Sequence, residues 1–72
     1  MEIVITEHAK ERMRERHMPP YELQKAARFA CLEGDGIYQV ESGYVVVDHH
    51  TVVSVLEPGM KPKYNGLPVR KI

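Results

Sequence analysis

Residues 6–18, TEHAKERMRERHM, space His8, Arg12 and Arg16 four residues apart. On a helix that spacing aligns one imidazole and two guanidinium groups along a single side. Imidazole titrates near neutral pH and can take or give a proton, while an arginine fork donates two hydrogen bonds to the non-bridging oxygens of a phosphate. Metal-free RNA cleavage needs groups of this kind: a base for the 2′-hydroxyl proton, an acid for the leaving 5′-oxygen, and cations facing the charge that builds on phosphorus. The second proton-transfer group stays open in the sequence, with His49, His50, Tyr38, Tyr44 and Tyr64 as candidates. No pair of histidines has the i, i+4 helical spacing of two metal ligands, and a single cysteine excludes a multi-cysteine zinc site, so neither metal nor cofactor is expected.

The helix that carries these residues has a definite buried side. With His8 at zero on a helical wheel, Arg12 and Arg16 fall at about 40° and 80°, beside Ile5, Ala9 and Met13 at about 60° to 140°. Long cations at the rim of an apolar seam either line a cleft or pair with the packing partner. The second alternative is a structural clamp, in which Arg12 or Arg16 holds Glu41, Asp48 or a carbonyl at a strand end. For His8 the corresponding alternative is a structural hydrogen bond at the helix start.

The remaining elements follow from local chemistry. Met1 to Ile5 reads as a short strand, and Thr6 caps a helix running from Glu7 to about His17. Pro19 and Pro20 end that helix and suit the first turn of a second one, with an apolar stripe at Leu23, Ala26, Ala27, Ala30 and Cys31. The stripe predicts a buried, reduced Cys31 thiol. Three β-like runs follow at Ile37–Val40, Tyr44–Asp48 and Thr51–Leu56, joined by Glu41-Ser42-Gly43 and by His49-His50. The expected fold is therefore α+β: a short N-terminal strand, two helices, then a three-stranded antiparallel meander, with residues 1–57 forming the domain. Residues 58–72, rich in Gly and Pro, are expected to form a basic extended C-terminal tail. If His49 and His50 form the turn, Val47 faces Val52, Val46 faces Val53 and Tyr44 faces Val55. Apolar groups then lie on both faces of the meander, and a face or open edge becomes a surface for self-association.

The net charge of zero is unevenly distributed. Residues 29–60 carry five acids and no Lys or Arg, whereas residues 61–72 carry Lys61, Lys63, Arg70 and Lys71 and no acid. A basic surface for a polyanion would combine the first helix with this tail, where Lys61, Lys63 and Tyr64 are weaker candidate RNA contacts, as are His49 and His50. A chain of 72 residues buries only about 60% of its unfolded surface, so its core is small. The sequence has neither a membrane-length apolar run nor a signal-peptide pattern, which predicts a cytoplasmic protein.

The order strand, helix, helix, three strands, together with H-A-x-x-R-M-x-x-R at residues 8–16, resembles a family of very small RelE-like proteins. These belong to the group of metal-independent endoribonucleases named for barnase, EndoU, colicin E5 and RelE. The resemblance covers residues 3–57, including Val52-Val53-Ser54-Val55 in the last strand. It implies RNA, including RNA on the ribosome, as the target, with His8, Arg12 and Arg16 as catalytic residues. It also implies a toxin role beside an antitoxin of the YgiT zinc-finger type. A binding module of the same fold that holds RNA or a protein without cleaving it is the alternative. Two positions depart from the family pattern: His17 stands where a glycine usually follows the second arginine, and Pro19 where Ser or Thr caps the second helix.

Overall fold

The structure is a computed structural model that describes residues 3–59 and 66–72. Its elements are β1 (Val4–Ile5), α1 (Glu7–Glu15), α2 (Pro20–Glu33), β2 (Gly36–Val40), β3 (Gly43–Asp48), β4 (Thr51–Leu56) and β5 (Val69–Lys71). The five strands form one mixed sheet in the order β1-β4-β3-β2-β5. This corrects the expected three-stranded antiparallel meander. The antiparallel core of β2, β3 and β4 exists, but β1 adds parallel to β4 on one edge and β5 adds parallel to β2 on the other. Residues 69–71 of the expected extended tail are thus part of the sheet, in register with Ile37, Tyr38 and Gln39.

The helices lie on one face, α1 over β4 and α2 over β2 and β3. Ala9, Leu23, Ala26 and Ala30 meet Tyr38, Val40, Val45, Val47, Val52 and Val55 in the core between them. Val52 and Val55 are three residues apart yet both point inward, because the β3–β4 register shifts between Val46 and Val47. The bulge leaves Val47 opposite Val52 but moves Ser54 opposite Val46 and Leu56 opposite Tyr44, replacing the pairings expected from strict alternation. Ile37 and Val46, register partners outside the helix-side core, are only 1% and 0% exposed, so the second face is not an open apolar surface at that point. Cys31 is exposed rather than buried, because Ala26 and Ala30 already carry the inner side of α2 and Cys31 lies past it.

The end of α1 gives His17 a structural role. Met18 N–H donates to the Met13 carbonyl at 3.0 Å and His17 N–H to the Arg14 carbonyl at 3.2 Å, the paired bonds of a Schellman cap. Met18 is buried and Met13 packs against the same core, which completes the motif's apolar contact. The cap requires a left-handed residue between them, and His17 supplies it at φ 55°. An L-residue other than Gly or Asn is strained there by about 1 kcal/mol. His17→Gly is therefore expected to raise the melting temperature by roughly 4–8 °C, read by thermal circular dichroism; an unchanged or lower value would contradict the cap assignment. Pro19 caps α2 with no side-chain hydrogen bond.

Candidate functional site

The three groups on α1 meet different fates. His8, in the first turn, is exposed. Arg12 reaches its own helix, with Nη1 3.1 Å from Glu15 Oε2 and both side chains about half exposed. Arg16 faces inward: Nε donates to the Val55 carbonyl at 3.0 Å, Nη1 lies 2.8 Å from Glu57 Oε1, and only 19% of its side chain is exposed. Arg16 is the clamp that the helical wheel allowed, fastened to a strand carbonyl and to Glu57 rather than to Glu41 or Asp48. It joins the last turn of α1 to the end of β4.

A further fastening holds the first turn of α1. Thr6 Oγ1 accepts from Ala9 N–H at 3.0 Å and donates to the Val52 carbonyl at 3.0 Å, and Val4 N–H donates to the His50 carbonyl at 2.9 Å. Through β1, the start of α1 is thereby brought to the end of the sheet where β3 turns into β4. His8 and the turn residues His49 and His50 share that end of the molecule. Among the described residues no group of three or more His, Cys, Asp or Glu side chains is arranged to hold a metal ion.

The turn itself has unusual chemistry. His49 and His50 have φ values of 52° and 58°, so both central residues of this two-residue hairpin are left-handed, as a type I′ turn requires. Asn-Gly is the sequence such a turn prefers. Here the backbone is held from outside, because the Asp35 carboxylate accepts from His49 N–H at 2.9 Å and from His50 N–H at 3.1 Å. These bonds, first from His50 and then from His49, hold the Asp35 carboxyl below its usual pKa. His49 Nδ1 also lies 3.1 Å from Asp48 Oδ1. Both imidazoles are exposed.

A pH dependence follows from the sign of that shift. A carboxyl whose folded pKa is depressed contributes stability that is complete above the unfolded value, about 3.9, and is lost as pH falls toward the lower folded value. Asp35→Ala should lower the melting temperature by a constant amount between about pH 5 and pH 7, and the gap from wild type should close below about pH 4. A gap that widens in acid would show that the carboxylate does not hold the turn.

The other expected contacts are dispersed. Lys61, Lys63 and Tyr64 lie outside the described residues. Arg70 and Lys71 stand on β5, at the edge of the sheet opposite the one that α1 approaches, so α1 and this part of the tail do not combine into one basic surface. Tyr38, another candidate for proton transfer, is buried in β2 and donates its hydroxyl to the Gly34 carbonyl; burial raises its pKa. Two clefts lie between α2 and the β5 edge, about 370 Å³ and 170 Å³ in volume. Sequence reading missed this region because it depends on the parallel pairing of a three-residue strand with β2, about thirty residues earlier. Only the basic residues Arg70 and Lys71 gave a signal for it.

No helix among the described residues is long and apolar enough to cross a membrane. No family model, curated protein or solved structure matches the chain.

Proposed function

We propose that this chain is a small metal-independent endoribonuclease of the RelE-like kind, the toxin member of a toxin–antitoxin pair, working in the cytoplasm. The supporting observation is that pairing of β1 with β4 joins the His8 end of α1 to the His49–His50 turn. In this reading one imidazole takes the 2′-hydroxyl proton as that oxygen attacks phosphorus. A second, protonated imidazole gives its proton to the departing 5′-oxygen, leaving a 2′,3′-cyclic phosphate. Arg12 exchanges its exposed Glu15 partner for a non-bridging phosphate oxygen. Arg16 is a positioning residue, since its guanidinium already holds β4 and Glu57.

The engagement of Arg12 and Arg16 with protein partners favours a second reading, in which the same surface holds RNA or a protein without cleaving. Incubation of the protein with mixed RNA in EDTA separates the two. The first reading predicts 2′,3′-cyclic phosphate ends, abolished in His8→Ala and reduced in a His49→Ala/His50→Ala double variant, with circular dichroism unchanged. Salt-sensitive binding with intact RNA supports the second reading. Neither cleavage nor binding, with diverse RNAs and translating ribosomes, contradicts both.

A further inference from the structure

The β5 edge and the flank of α2 beside it form a second surface, remote from α1. Ile37 N–H donates to the Pro68 carbonyl and Ile72 N–H to the Gln39 carbonyl, so residues 68 and 72 turn their backbone groups toward β2. By strand alternation, Val69 and Lys71 turn theirs outward, where no strand pairs with β5 among the described residues. Val69 is 53% exposed. The two clefts flank this strand, and Lys71 and Ile72 line both of them. Across the clefts α2 presents Tyr21 and Phe29, both exposed, and Leu32 is exposed on the same side of the helix beyond them.

The charges on this surface are unspent. Lys25, Arg28 and Lys71 have no ion-pair partner among the described residues. Arg70 has only Glu33 at 3.8 Å, and its Nε is buried without a hydrogen-bond partner. Of the acids lining the clefts, Glu22 is buried against Ser42 N–H and Glu33 faces Arg70, while Glu41 is exposed at the far rim of the larger one.

We infer that the β5 edge, with the clefts between it and α2, is a docking site for an extended strand of a partner protein bearing alternating apolar and acidic side chains. Main-chain hydrogen bonds to Val69 and Lys71 would extend the sheet by one strand. Apolar side chains on the face of the incoming strand toward α2 enter the clefts beside Tyr21 and Phe29, and the carboxylates, on its other face, reach Lys71. A second copy of this chain is a poor occupant, because pairing two β5 strands sets the Arg70 and Lys71 of one against those of the other. At the opposite edge, β1 has two residues against three in β5 and offers less backbone. The inference does not depend on RNA cleavage, since the two surfaces lie at opposite edges of the sheet.

The test uses fluorescein-labelled peptides of about eight residues alternating valine with glutamate or valine with lysine, followed by anisotropy and by amide chemical shifts. The glutamate peptide should bind at least tenfold more tightly than the lysine peptide. It should weaken with salt and shift the amides of residues 69–72. Binding should fall about tenfold in Lys71→Glu and in Val69→Pro, which removes an outward N–H, and persist in Val69→Ile. His8→Ala should bind it normally, whatever becomes of RNA cleavage. Equal binding of the two peptides, shifts confined to other strands, self-association through β5, or occupation of this edge by an RNA oligomer would each overturn the inference.

Discussion

Gly43→Ala is expected to cost roughly 3 kcal/mol or more and to lower the melting temperature by about 12–24 °C. Gly43 opens β3 at φ 148°, a conformation that L side chains rarely adopt, and a Cβ there would run into the Leu56 carbonyl oxygen. The obstacle is backbone rather than a flexible side chain, so it cannot swing away. Relief requires β3 and β4 to separate at the pairing of Tyr44 with Leu56. Because that pairing adjoins the carbonyl held by Arg16, the clamp should loosen with it. Equilibrium denaturation reads the loss directly, and a variant within about 1 kcal/mol of wild type would show that the strands approach less closely at this point.

Arg16→Ala should destabilise by about 2–3 kcal/mol, whereas Arg12→Ala should change stability by no more than about 0.5 kcal/mol. The difference comes from what each guanidinium holds. Arg16 makes a charge-assisted bond to a strand carbonyl from a largely buried position, with Glu57 as a partner that is mostly exposed and adds little. Arg12 pairs with Glu15 on the surface of the same helix. If the variants are compared by chemical denaturation, equal effects would remove the distinction between a positioning residue and an available cation. A fall in RNA cleavage in Arg12→Ala without loss of stability is the corresponding expectation for the proposed activity.

Local chemistry was readable wherever the partner lay nearby in sequence. Thr6 caps α1, the proline pair separates the helices, and the three runs after residue 36 are β2, β3 and β4 with nearly the expected limits. Even the rim position of Arg16 was legible, because helical periodicity sets it beside Ala9 and Met13. Its partners were not, since Val55 and Glu57 come within reach only after α1 settles on β4. The edge strands escaped for a related reason: β1 has two residues and β5 three, too few for a pattern, and both pair in parallel with distant strands. One extra residue at the β3–β4 bulge then displaced every expected pairing beyond Val47. Cys31 shows the limit of an apolar stripe, because one position at its margin was enough to turn the thiol outward. His17 was not legible as a helix stop, because only the backbone angle of 55° shows that this non-glycine residue takes the left-handed conformation.

The proposed activity requires His8 and the His49–His50 turn to face the same phosphodiester. An NMR titration of the histidine ring signals with an oligoribonucleotide made uncleavable by 2′-O-methylation at each residue tests this. His8, His49 and His50 should shift together along one binding curve, while His17, beyond the other end of α1, stays in place. A titration that leaves the three rings unmoved, or that moves His17 alone, would contradict it.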